Sequence, residues 1–374
     1  MKILYVTTIG RTMNFFRSFV KELIDTGHTV DIATNENGSE VPVFFKELGC
    51  VVYQISCPRT PLSKDNIDAA KKIKRIVQEG EYDIVHCHTP IAAVCTRLAC
   101  KALRKKGVKV FYTAHGFHFY KGAPMKNWLL YYPIEWLCSF WTDTLITINR
   151  EDYERAKKHF HARKTEYVPG VGIDIDQFAN AVVDKNAKRQ ELGILENGFL
   201  LFSVGELNKN KNHEVVIRAL AELKNRNIHY AIAGKGNLKE YLEEIAERLG
   251  VKEQVHLLGY RNDVAELYKA ADAYVLPSIR EGLNVSIMEA MASGLPVICS
   301  RIRGNVDMVD ISYGMTCKAD SVDDFAVAIQ EFFDDTNHRI ELGRYAKRSA
   351  ERFDVIVINE KMLDIYGYLR EIHQ

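Results

Sequence analysis

Short apolar runs alternate with amphipathic stretches along the whole chain. In the first half, apolar or β-branched runs occur at Lys2–Thr7, Thr29–Thr34, Val51–Ile55, Ile84–His86, Val108–Thr113, Thr144–Ile148 and Thr165–Val168. Between them, apolar residues recur at helical spacing over Asn14–Asp25, Ile67–Glu79 and Ala92–Lys106. The pattern restarts in the second half, with strand-like runs at Phe199–Val204, His229–Ala233, Val255–Leu258, Ala273–Leu276 and Val297–Cys299. Its helical patterns lie at His213–Asn225, Leu238–Leu249, Asp263–Ala270 and Ser286–Ala292. Near-continuous apolar strands separated by helices predict α/β architecture with parallel sheets covered on both faces.

Two such series flank the Gly/Pro-rich segment Val168-Pro-Gly-Val-Gly-Ile-Asp174, which predicts two Rossmann-like domains joined by a hinge. The expected limits are 1–168 for the first domain, 169–355 for the second and 356–374 for a C-terminal helix. That last segment belongs to a longer amphipathic pattern over Phe353–Ile372. In open sheets of this kind ligands bind beyond the carboxyl ends of the strands, and two domains place the natural site in the cleft between them.

The 374 residues are 47% hydrophobic and 26% charged, which excludes disordered and collagen-like classes. A formal net charge of +1 hides an asymmetry. Residues 1–170 hold 25 basic and 17 acidic side chains, whereas the remainder holds 25 and 32. An anionic partner is therefore expected for the first half, such as a membrane or a nucleic acid. Between Lys71 and Lys126 twelve basic residues, Lys105 and Lys106 among them, face three acidic ones. An aromatic run that includes Trp128 follows, which suits an anionic membrane interface better than a nucleic acid, for which no binding motif is present. The N-terminus lacks the pattern of a secretory signal, and no uninterrupted apolar stretch reaches transmembrane length. Eight cysteines without a CxxC pair read as reduced core residues of a cytoplasmic protein.

The most informative segment is Pro277-Ser-Ile-Arg-Glu-Gly-Leu-Asn-Val-Ser-Ile-Met-Glu289. It follows a buried strand and sets Glu281 and Glu289 on either side of a helix start. Gly282 and the loop after it present the N–H groups of Leu283, Asn284 and Val285, which suit a diphosphate because unpaired amides and the helix dipole both favour anions. A carboxylate one turn into the helix suits the paired hydroxyls of a ribose.

Together with His86-Cys-His-Thr-Pro90, Tyr112-Thr-Ala-His-Gly-Phe-His118, Gly205-Glu-Leu-Asn-Lys-Asn-Lys-Asn212 and Gly259-Tyr-Arg-Asn-Asp263, this motif resembles the retaining glycosyltransferases of family 4, which have the GT-B fold. Within that family the chain is most similar to bacterial exopolysaccharide and capsule enzymes. The resemblance implies a transfer from a UDP-sugar to a polyprenyl-diphosphate-linked saccharide at the inner face of the membrane, with no metal or other cofactor. It also implies a C-terminal helix crossing back to the first domain. It assigns Glu281 to the donor sugar, Glu289 to the ribose and Lys211 to the diphosphate. Gly205, Gly234, Tyr260 and Arg261 would surround the nucleotide, the last two through their backbone facing the base. His115 would reach toward the transferred sugar, and Gly10 would approach the phosphates. His86 and His88 have a structural or acceptor-side role on this reading. Where the family carries an arginine this sequence has Glu206, so one diphosphate cation is replaced by a carboxylate; Arg280, Arg301 or Arg303 could supply the charge. Asp174-Ile-Asp176 spells a metal-binding D-x-D but lies in the hinge without further ligands. The alternatives are a sugar-nucleotide epimerase or phosphorylase on the same scaffold and an inactive donor-binding subunit.

Overall fold

The computed structural model describes residues 1–58, 60, 63–194 and 198–367, so the end of the Phe353–Ile372 pattern lies outside the described residues. The chain forms two compact units. One comprises Met1–Val171 together with the chain from Ile358 onward, and the other comprises Gly172–Val357. Gly170 and Gly172, on either side of that division, both take positive φ, a backbone region that favours glycine.

The first unit is built on β1 (Lys2–Val6), β2 (Thr29–Thr34), β3 (Val52–Gln54), β4 (Ile84–His88), β5 (Lys109–Ala114), β6 (Thr144–Thr147) and β7 (Lys164–Tyr167). All are parallel, in the order β3-β2-β1-β4-β5-β6-β7. Burial of both faces explains why β1 reads as a near-continuous apolar run rather than an alternating one, and the same burial encloses the two histidines of β4. The register places Tyr5 and Phe111 on either side of His86, and sets Thr113 beside His88. The Val355–Tyr366 helix contributes Ile358, Met362, Leu363 and Tyr366 to the core on one face of this sheet.

The second unit holds β8 (Phe199–Val204), β9 (Ile228–Ala233), β10 (Val255–Gly259), β11 (Ala273–Leu276), β12 (Val297–Ser300) and β13 (Gly314–Cys317). These too are parallel, in the order β10-β9-β8-β11-β12-β13. The His213–Leu223 helix buries Val215, Val216, Ile217, Ala219 and Leu220 against one face, and the Val285–Ala292 helix buries Ile287, Met288, Ala290 and Met291 against the other. Each doubly wound sheet reverses its strand order once, between β1 and β4 in the first and between β8 and β11 in the second. Those reversals open a crevice at the carboxyl edge.

Among the described residues, no helix is long and apolar enough to cross a membrane. The eight cysteines are all free and buried.

Candidate active site

The second unit concentrates the expected donor-binding residues at its β8/β11 crevice. Lys211 lies in the loop after β8 and Glu281 in the loop after β11. The Lys211 ammonium stands 2.7 Å from Glu281 Oε1, with both side chains largely shielded from solvent. The loops carrying the pair are tied along their length. Ile279 N–H donates to the Asn210 carbonyl (2.8 Å), and Asn210 Nδ2 donates to the Arg280 carbonyl (2.9 Å). Asn212, with φ near 54°, donates from Nδ2 to the carbonyls of Pro277 and Ala319. A lysine and a glutamate seventy positions apart are thus held by their backbones as well as by their charges.

Glycines let these loops meet. A Cβ on Gly205 would stand 3.1 Å from Lys211 Cε, so the lysine stem lies along bare backbone. A Cβ on Gly234 would fall 1.8 Å from the Gly205 carbonyl oxygen, and one on Gly304 would fall 2.0 Å from that of Gly282. The Asn284 side chain caps the Val285–Ala292 helix by accepting from Ser286 N–H (2.9 Å). The first amides of that helix have no intrahelical partner, as at any helix start, and they follow directly on Gly282 and Leu283. One turn further, Glu289 is oriented by the Tyr268 hydroxyl, which donates to Oε2 at 2.8 Å, while burial pushes its carboxyl above the ordinary carboxylate range. Glu281, Lys211, Gly282, Leu283, Asn284, Val285 and Glu289 therefore share one edge of one sheet.

The remaining expectations fare differently. Tyr260 is exposed just past β10. The Arg261 guanidinium is occupied by Asp263 and Glu191, leaving its backbone as the part able to meet a ligand. Glu206 is exposed, Arg301 donates to Thr316, and Arg303 is buried. Asp174 and Asp176 both serve the Ile175–Ala179 helix: Asp174 accepts from Gln177 N–H and Asp176 from Asn180 Nδ2. No group of three or more metal-ligating side chains occurs among the described residues.

In the first unit, His86 is a core residue rather than a group facing an acceptor. Its Nδ1 pairs with the Tyr366 hydroxyl at 2.6 Å and its Nε2 with Thr113 Oγ1 at 2.8 Å, and burial lowers its pKa to about 3. His88 and His115 are paired, Nδ1 to Nε2, at 3.2 Å. Both lie beside a small cavity that Phe15 and Phe16 also line, and burial lowers His115 to about 4. Gly10 has a packing reason for being glycine, since a Cβ there would lie 2.2 Å from the Ser39 carbonyl oxygen. Lys105 and Lys106 are exposed, whereas Arg104 between them and the core is clamped on Asp143. Trp128 is half-buried, packed on Phe119 and Tyr132 with the Arg155 guanidinium 4.6 Å from its ring centre. The large apolar side chains of its helix that do face solvent are Met125, Leu129, Leu130, Trp136 and Leu137.

Two features escaped the sequence reading. Thr89, whose hydroxyl meets that of Thr8 at 2.6 Å in the β1/β4 crevice, has φ +67°, a strained value for a β-branched residue. Glu135, inside an otherwise apolar helix, is buried in an ion pair with Arg97 at 2.8 Å. The first has no local signal, because a following proline favours extended backbone of negative φ at the residue before it. The second depends on a partner 38 residues away.

Comparison with known proteins agrees with the two-sheet fold. The model of glycosyltransferase family 4 matches residues 14–177, and that of glycosyl transferases group 1 matches residues 184–349. A Bacillus subtilis (strain 168) relative named as the glycosyltransferase EpsD is 36% identical over 372 residues, covering 98% of this chain and 96% of its own. The Escherichia coli UDP-Gal:alpha-D-GlcNAc-diphosphoundecaprenol alpha-1,3-galactosyltransferase is 30% identical over 319 residues, covering 83% and 81%. Among solved structures, Anabaena Alr3699/HepE in complex with UDP superposes with a TM-score of 0.82 at 20% identity, over 98% of this chain and all of that one. A sucrose-phosphate synthase from Thermosynechococcus elongatus gives 0.81 at 18% identity over the full length of both chains. With two parallel Rossmann-like sheets and relatives matched from end to end, this chain belongs to the group 1 and family 4 glycosyltransferases of the GT-B fold.

Proposed function

We propose that the protein is a retaining hexosyl- or N-acetylhexosaminyltransferase that moves a sugar from a UDP-sugar to a polyprenyl-diphosphate-linked saccharide in exopolysaccharide or capsule assembly. The observation that carries this reading is the Lys211–Glu281 pair at the β8/β11 crevice, beside the amides of Gly282–Val285 and one helical turn from Glu289. The name of the Escherichia coli relative supports the donor and acceptor classes, since it specifies a UDP-linked sugar and a diphosphoundecaprenol acceptor.

Lys211 and Glu281 neutralise one another across 2.7 Å. An entering diphosphate draws the ammonium to itself and frees the carboxylate to accept hydrogen bonds from donor-sugar hydroxyls. Lys211 and the helix-start amides then stabilise the charge that builds on the departing diphosphate, the electrostatic contribution that dominates such chemistry. Glu289, held by Tyr268, binds the ribose, and the backbone around Tyr260 and Arg261 meets the base. Lys211 and these amides supply the charge that a metal would otherwise provide. The departing phosphate takes the acceptor proton, so attack proceeds on the face the leaving group vacates and configuration is retained.

Lys211→Ala and Glu281→Ala should each lower kcat/KM by about a hundredfold or more, the scale for removing one preorganised charge-stabilising group. Thermal unfolding should stay near that of the unsubstituted protein. Near-normal transfer by both variants would sink the assignment. Accumulation of an altered nucleotide sugar without acceptor would indicate an epimerase instead, and donor binding with no turnover an inactive subunit. The donor itself can be identified from a panel of nucleotide sugars, because one that binds only the folded state raises the melting temperature.

The helix Met125–Ser139 supports a membrane-surface location at the cytoplasmic face. Its exposed apolar side chains adjoin a groove of about 450 Å³ lined by Ile67, Ile91, Leu98, Leu130 and Ile134. Lys64, Lys101, Lys105, Lys106 and Lys126 are exposed in the same unit. Apolar side chains with lysines alongside suit an anionic lipid surface.

A further inference from the structure

His88 ends β4, and His115 lies one position past the end of β5. Their rings meet through a single hydrogen bond, Nδ1 of His88 to Nε2 of His115, at 3.2 Å. One of these nitrogens must carry the proton and the other must accept it. The opposite edge of His88 decides which. Its Nε2 is buried and has no hydrogen-bond partner among the described residues. The neighbouring His86 cannot serve it, because both His86 nitrogens are engaged by Tyr366 and Thr113. A buried N–H without an acceptor is rarer in folded proteins than an under-used acceptor. The proton of His88 therefore belongs on Nδ1, inside the pair, and Nε2 is left as the bare nitrogen.

The ring of His88 has little freedom to turn. Tyr5 stacks on it with centroids 5.4 Å apart and planes 19° from parallel, and the Phe16 ring centre lies 4.1 Å away. Its charged form is disfavoured by the same enclosure, so it acts as a neutral donor.

We infer that His88 is a positioning residue for His115: it donates from Nδ1 to His115 Nε2, which fixes the His115 ring plane and keeps the His115 proton on Nδ1. The inference rests on the reading of His115 as the residue that meets the transferred sugar. With His88 in place, His115 presents a neutral Nδ1–H as its remaining donor, ready for a sugar oxygen. The logic is that of outer groups that set the tautomer of a functional imidazole through its other nitrogen.

The test uses the full chain and two substitutions. His88→Phe keeps a flat ring for Tyr5 and Phe16 but removes the donor, whereas His88→Asn offers a side-chain N–H close to where Nδ1 stood. Imidazole ¹⁵N NMR of the unsubstituted protein should show His115 protonated at Nδ1 and bare at Nε2. In His88→Phe the His115 signals should move toward the Nε2–H tautomer. Transfer kcat should fall about tenfold or more while donor KM stays within about twofold, and His88→Asn should recover most of the loss. His115 protonated at Nε2 in the unsubstituted protein, or His115 signals unmoved in His88→Phe, overturns the inference. His115→Ala separates the two readings. Full activity in that variant removes the catalytic reading of His115, while the NMR result still decides whether His88 sets its tautomer.

Discussion

A hydrogen in place of a methyl group decides how closely two loops approach at the β8/β11 edge. The Gly205 carbonyl occupies the space that a side chain at position 234 would need. Gly234→Ala must therefore push apart the loops that back Lys211, and overpacking of this kind costs about 1–3 kcal/mol. Urea unfolding should show that loss together with reduced transfer; an unchanged midpoint would show that the loops separate without strain. Gly205 and Gly234 stood out in the sequence as neighbours of a nucleotide, and their contact shows a packing reason for the same residues. Roles that depend on distant partners were not legible. Nothing local marks the Arg261 guanidinium as also spent on Glu191, 70 positions back, or His86 as bonded to Tyr366, 280 positions on.

The helix Met125–Ser139 is built inside out. It buries Glu135 and turns Leu129, Leu130 and Leu137 to solvent, so its hydrophobic pattern gives no stripe to read. Glu135 is tolerated inside because Arg97, itself buried, pairs with it and lies over the Tyr112 ring. Glu135→Ala would leave the Arg97 charge buried and unpartnered, and such a break costs about 3–5 kcal/mol. Denaturant unfolding of the variant should show this. Adding Arg97→Met should restore most of the loss, and a single variant as stable as the parent would mean that Arg97 finds another partner. Most strands were legible because burial on both faces makes them continuous apolar runs. The exception is β13, a four-residue Gly-Met-Thr-Cys stretch too short and mixed to stand out, and the Val322–Asp334 and Thr336–Ala350 helices beyond it also escaped notice.

On the scale of the molecule, the balanced total charge conceals a basic N-terminal stretch and an acidic remainder. Electrostatic attraction to lipid is screened within about 8–10 Å at ordinary salt. The protein should therefore sediment with vesicles containing anionic lipid at low ionic strength and be released as salt rises. Leu129→Glu with Leu130→Glu should weaken binding without changing the fold. Equal binding to neutral vesicles, or none to anionic ones, would refute the proposed membrane location.

The first unit is discontinuous in sequence: the chain leaves it after Val171 and rejoins it at Ile358. Ile358, Met362 and Tyr366 complete its core, and the Tyr366 hydroxyl supplies the partner of His86 Nδ1. On the ribosome, the middle of the chain can thus finish folding before the beginning can. A chain cut just before Ile358 keeps the whole of the second unit but lacks the residues that close the core of the first, so loss of this late segment disables the half of the protein made first.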